Sequence, residues 1–137
     1  MKVYPAGPPV RDAAHIVLLA RLDSGISPIW RVTNEAPMPI SGDLRAWDRR
    51  LDGPASIGIE AETRLRDIQA LERAMQLKLR DSRVDRMILV VGATHGNRAM
   101  LRAALPQLRA TFPLSTPEVL RALRAGRDPG ANGIAFV

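Results

Sequence analysis

Asp48, Glu60 and Glu62 flank an Asp52-Gly53-Pro54 turn, and the residues on either side of that turn alternate as two short paired strands do. With Leu44-Ala46-Asp48 set against Ile57-Ile59, Asp48 falls nearly opposite Ile59 and Glu60, roughly 5 Å away between Cβ atoms for directly paired residues. Glu60 and Glu62 share one face of their strand, roughly 7 Å apart at about 3.3 Å per residue. Carboxylates this close repel one another unless a cation, a proton or an arginine neutralises them. An all-oxygen donor set of this kind suits Mg²⁺ or Mn²⁺. A long amphipathic helix carrying Gln69 follows directly. The other reading of the same acids is the solvent face of a hairpin, paired to Arg45, Arg49 or Arg64.

The rest of the composition bounds what such a site can serve. A chain of 137 residues is large enough to bury its own core as one domain. It has no cysteine, so neither a disulfide framework nor a thiolate metal site is available. No apolar run approaches the roughly 18 residues of a membrane span, and Met1-Lys2-Val3-Tyr4-Pro5 has no signal-peptide character. A cytoplasmic protein is expected. The formal net charge is +6, and the only lysines among the 20 basic residues are Lys2 and Lys78. Arginine grips phosphate bidentately, so the excess suits a nucleic-acid partner; an Arg-for-Lys habit of composition explains it equally well.

The elements that must hold the acids follow from pattern. Residues 1–10, with Tyr4-Pro5-Ala6-Gly7-Pro8-Pro9, read as an extended proline-rich arm; residues 11–137 read as one domain. The apolar spacing of Ile16, Val17, Leu19, Ala20 and Leu22 predicts a helix over Ala13 to Leu22, stopped at Asp23-Ser24-Gly25, in which His15 is a packed or boundary histidine. Ile29 to Ala36 alternates as a strand, with Pro37 and Pro39 marking an edge. After the hairpin, Leu65 to Asp81 is the best-defined helix, its buried stripe Leu65, Ile68, Leu71, Met75 and Leu79. Gln69, Arg73, Gln76 and Arg80 lie on a different face. Met87 to Val91 reads as a central strand covered on both faces. Beyond it come a helix over Asn97 to Ala110, interrupted near Pro106, and a Ser115-Thr116-Pro117-Glu118 capping box opening a helix to Ala125. Gly133 to Val137 makes a last strand. The order predicts an α/β fold with a mixed central sheet flanked by helices.

This order of elements, with Asp48 and Glu60-Ala61-Glu62, resembles the PD-(D/E)XK nuclease-like fold of restriction and repair endonucleases and its αβββαβ core. More narrowly, Gly42 to Asp48 and Ile59 to Leu65, with Asp67, Gln69-Ala70-Leu71 and Leu77-Lys78, resemble the C-terminal domain of many uncharacterised actinobacterial helix-turn-helix regulator-type proteins. The resemblance covers Leu44 to Arg102. It implies that Asp48 and Glu60 bind the metal and that Glu62 stands where the family signature has lysine. That lysine orients the attacking water and offsets transition-state charge; a carboxylate can only do the former. A lysine moved to the following helix is also known in the family, and Lys78 is the candidate. Lys78 fails on geometry: nine residues beyond Gln69 is about 900° of helix and about 13 Å of rise, which turns it to the opposite side, away from the acids. Arg66 or Arg73 is then expected to supply the positive charge and meet the nucleic acid, with Gln69 orienting the substrate.

Several functions fit. The first is a Mg²⁺- or Mn²⁺-dependent nuclease using Asp48, Glu60, Glu62 and Gln69. The second is a catalytically degenerate module of the same fold, a DNA-binding or protein-interaction partner of a helix-turn-helix regulator. The third is the effector of a toxin-antitoxin pair, with an antitoxin as its protein partner. Homodimerisation is expected because nucleases of this fold pair to cut two strands. His95 reads as a loop or cap residue, and the faces Arg98-Arg102-Arg109 and Arg121-Arg124-Arg127 read first as solvated helix surfaces and second as phosphate contacts.

Overall fold

A computed structural model describes residues 10–137. The elements run α1 (Val10–Asp23), β1 (Arg31–Pro37), β2 (Ala46–Asp52), β3 (Ser56–Glu62), α2 (Ile68–Ser82), β4 (Arg86–Val91), α3 (His95–Leu108), α4 (Thr116–Ala125) and β5 (Gly133–Phe136). The strands form one mixed sheet in the order β1-β2-β3-β4-β5. β1, β2 and β3 are antiparallel neighbours, whereas β3, β4 and β5 are parallel. The parallel β3–β4 pair requires a crossover, and α2 provides it by running back along the strands. The expected proline-rich arm lies outside the described residues except Val10, which opens α1.

Both faces of the sheet are covered. On one, Leu18, Leu19 and Leu22 of α1 and Val119 and Leu123 of α4 pack against Ile57, Ile59, Ala61, Ile88 and Val90. On the other, Met75 of α2 and Leu101 and Leu108 of α3 pack against Met87, Leu89, Val91 and Trp47. The β4 run Met87 to Val91 is wholly buried, as a strand covered on both sides must be. Three sequence expectations are corrected. Ile16 and Val17 are half exposed, because α1 buries only the stripe of Leu18, Leu19 and Leu22. Leu44 is almost fully exposed, and β2 starts two residues later. Finally, α3 runs through Pro106 to Leu108 without a break: the proline forgoes one bond to the carbonyl of exposed Arg102, and the ladder resumes with the Arg109 amide on the Leu105 carbonyl.

β2 is the irregular strand. Its pairing with β3 stops at Arg49↔Ile59, while its pairing with β1 continues to Pro37↔Ala46 and skips only Glu35 and Asp48. Glu35 there has φ of 49°. Trp47 and Leu51, four residues apart, would share a face in a regular strand, yet Trp47 joins the α2–α3 core and Leu51 the α1–α4 core. The strand thus turns over near Asp48 and leaves β3. Trp47 fills the space above Gly58, and its Nε1 donates to Ser82 Oγ at 3.0 Å.

A Cβ at residue 58 would lie 2.3 Å from Trp47 Cε2, against a ring that is 1% exposed and cannot retreat. Gly58→Ala is therefore expected to lower the unfolding free energy by about 1–3 kcal/mol, read from urea titration. An unchanged midpoint would mean that the tryptophan is not held as described.

Candidate active site

Where β2 parts from β3, the main-chain groups that the ladder would have paired need other partners. Asp48 Oδ2 accepts from the Ala61 amide at 2.8 Å. On the neighbouring strand Glu60, 7% exposed, receives Lys78 Nζ at 2.5 Å, and the same ammonium donates to the Ala46 carbonyl at 2.7 Å. Lys78 also lies 5.7 Å from the centre of the Trp47 ring, so its stem and charge both have contacts. From the opposite face of the sheet, His15 Nδ1 of α1 stands 3.9 Å from Asp48 Oδ2. Asp48, Glu60, Lys78 and His15 thus meet in the gap between two strands.

Burial first, and then the negative charge of Asp48, push the Glu60 carboxyl up to about 8, while Lys78 pulls it back down. A carboxylate removed from water is costly unless neutralised. Two carboxylates with one ammonium leave one negative charge over, which a proton or a cation must meet. Asp48 is 30% exposed and is the open side of the pair.

The site borders a cleft of about 700 Å³ whose walls include His15, Glu62, Arg64, Arg66 and Asp67. His15 belongs to both the cleft and the acid pair. The cleft floor is the end of β3, and its rim is the turn into α2. Asp67 caps that helix by accepting from the Ala70 amide at 3.0 Å. The turn itself is pinned by buried Asn97, which accepts from the Leu65 amide and donates to the Thr63 and Gly92 carbonyls.

Of the expected site residues, Asp48 and Glu60 come together. Glu62 lies two residues along β3 and lines the cleft, and among the described residues no set of three or more acidic or histidine side chains is gathered for a metal. Gln69 and Arg73 are exposed on α2, on the face turned from Glu60, while Arg66 reaches the cleft rim. The expectation that Lys78 faces away from the acids is wrong. Lys78 and Gln69 are indeed on opposite sides of α2, but it is the Lys78 side that faces the sheet, because α2 runs back past Ala46 and Glu60. The hairpin-face alternative fails for Glu60, which is buried, and for two of its arginines, since Arg45 pairs with Asp43 and Asp81 and Arg49 with Asp23. His15 was missed, since nothing in the α1 pattern marks it. Lys78 had one signal, as a lone lysine in the domain of an arginine-rich chain.

No protein-family model, curated protein or solved structure matches the chain. Among the described residues, no helix is long and apolar enough to cross a membrane.

The raised Glu60 carboxyl has a signed consequence in EDTA. Between its ordinary value of 4.5 and about 8, the folded protein keeps a proton that the unfolded chain has released. Its contribution to stability is therefore complete at low pH and is lost as pH rises through that window. Glu60→Gln removes the dependence, so the variant should gain on the wild type from pH 4.5 to 8 in urea midpoints. A difference that is flat or shrinks with pH would show that Glu60 is not held as a protonated acid.

Proposed function

We propose that the protein is a divalent-metal-dependent phosphodiesterase of the PD-(D/E)XK nuclease-like class, acting on nucleic acid. The observation that carries this reading is the Lys78 ammonium 2.5 Å from Glu60, delivered from the helix after the strand. It supplies the cation that Glu62 cannot, by the relocated-lysine arrangement known for that class.

The donor set fits Mg²⁺ or Mn²⁺. Both ions take carboxylate oxygens, commonly one or two from the protein, with water and substrate phosphate completing the shell. Asp48 and Glu60 would hold the ion, and a bound ion supplies charge neutralisation at phosphate and acidifies water. The remaining work belongs to the chain. Lys78 holds Glu60 in place and keeps positive charge beside the reacting phosphate. His15 stands beside Asp48 at the cleft, where it can accept a proton from the attacking water or position Asp48. Arg64 and Arg66 on the cleft wall offer bidentate contacts to neighbouring phosphates. In the reaction, a water oxygen bonds to phosphorus, the bond from phosphorus to the leaving sugar oxygen breaks, and that oxygen takes up a proton.

One observation favours a second reading, a catalytically degenerate module of the same fold serving a regulator or antitoxin partner. Lys78 also binds the Ala46 carbonyl, so it staples β2 to β3 whether or not any reaction occurs. Catalysis separates the two. Labelled single- and double-stranded DNA and RNA, incubated with Mn²⁺ and then Mg²⁺, should be cut by the wild type. Glu60→Ala and Lys78→Met should each lose about a hundredfold or more in rate, with thermal melts confirming that both are folded. Equal background in all three proteins would overturn the nuclease reading and leave the staple.

A further inference from the structure

A second concavity, of about 490 Å³, lies between α3, α4 and β5 and shares no residue with the cleft beside Glu60. Its floor is apolar, drawn from Leu101, Leu105, Phe112, Leu114, Ile134 and Phe136. Leu105 is 37% exposed and Leu114, Ile134 and Phe136 are partly so, above the buried Leu101 and Phe112. Its rim carries Arg98, Arg102 and Arg109. At 100° per residue these arginines fall in one stripe with Leu101 and Leu105, running about 16 Å along the helix.

Three features set these arginines apart from an ordinary solvated face. Residues 86–117 contain no Asp or Glu, so α3 lacks the acids four residues away that usually accompany surface arginines. None of the three makes a salt bridge among the described residues, and Glu118 across the groove is committed to the Ser115 amide and hydroxyl. Arg98 occupies the first turn of α3, where the helix dipole disfavours a cation, and rests instead over the Phe136 ring at 4.8 Å.

The adjoining sheet edge is closed. Ile134 donates its amide to the Leu114 carbonyl, and the Thr116 hydroxyl serves both the Ile134 carbonyl and the Phe136 amide. An added strand would find no free ladder there. Nucleic acid is disfavoured as well, because the floor is mainly aliphatic and its one accessible ring is already covered by Arg98, whereas bases stack on open aromatic faces. We infer that this groove docks an acidic amphipathic helix of a protein partner, apolar residues on the Leu101–Leu105 floor and carboxylates against Arg98, Arg102 and Arg109. The charge complementarity of an acid-free, unpaired arginine rim selects that occupant, and the inference stands whether or not the protein is a nuclease.

The test is fluorescence anisotropy with labelled synthetic peptides carrying Leu and Phe at i, i+3, i+4 and i+7 and Glu between them, beside labelled oligothymidylate. The full chain should bind the acidic peptides and not their Lys-substituted counterparts. Binding should fall about tenfold or more in the double variant Arg102→Glu, Arg109→Glu, and severalfold in Leu105→Ser, whose neutral side chain leaves the charge unchanged. All three positions are exposed, so unchanged circular dichroism is expected. Failure of the acidic peptides to bind would overturn the proposal. So would oligothymidylate binding that the arginine reversal abolishes and Leu105→Ser leaves intact, which would make the stripe a nucleic-acid surface.

Discussion

The structure turns on the separation of β2 from β3 beyond Arg49↔Ile59. A sheet that opens leaves amides and carbonyls facing a gap, and each must find a partner or cost free energy comparable to a lost hydrogen bond. Here the partners are side chains: Asp48 takes the Ala61 amide, and Lys78 takes the Ala46 carbonyl. These are also the groups with chemistry to offer. Holding the gap open and arming it are therefore one arrangement. Glu60, at the same place on β3, would hold its proton to still higher pH if Lys78 were absent.

That arrangement demands a helix set accurately against two diverging strands, and the frame around α2 shows how it is set. At one end Asp67 caps the helix and Asn97 ties its approach to the β4–α3 turn. At the other, Ser82 receives the Trp47 indole, and Asp81 pairs with both Arg80 and Arg45. Those two guanidiniums hold the Asp81 carboxyl down at about 2, so the link to the chain entering β2 is ionised throughout the neutral range. Lys78, one turn before Ser82, has little freedom of registration. A site whose groups come from strands and a pinned helix is better preorganised than one carried on loops.

The architecture was largely legible because each element announced itself by period and punctuation. The Met87 to Val91 run, the Ser115 to Glu118 capping box and the helix end at Ala125 all appear as read, and the mixed sheet follows from their order. The site was legible only in its acids. Asp48 and Glu60 could be brought together because strand pairing is a local geometric rule. Lys78 could not, because which side of α2 faces the sheet depends on where the helix docks. Anchoring the rotation on Gln69 inverted the answer while keeping the relative angle right. The turning over of β2 at Asp48 was equally hidden: it depends on Trp47 finding the empty space above Gly58, a contact between two strands that no periodicity encodes.

The charge layout finally bears on why such a site would exist at all. A buried ion pair adds little stability, and apolar residues of similar volume often do as well or better. Opening β2 from β3 needs partners for an amide and a carbonyl, but it does not need a second carboxylate behind them. Glu60 makes no contribution to the backbone accounting, yet it is the acid whose burial is costliest. Its cost is met by Lys78 only in part, and the remainder falls to a proton on Glu60 or to a cation beside Asp48, which His15 joins to the cleft that Arg64 and Arg66 line. A purely structural staple gives no reason for that second acid, whereas the divalent-metal site proposed above would.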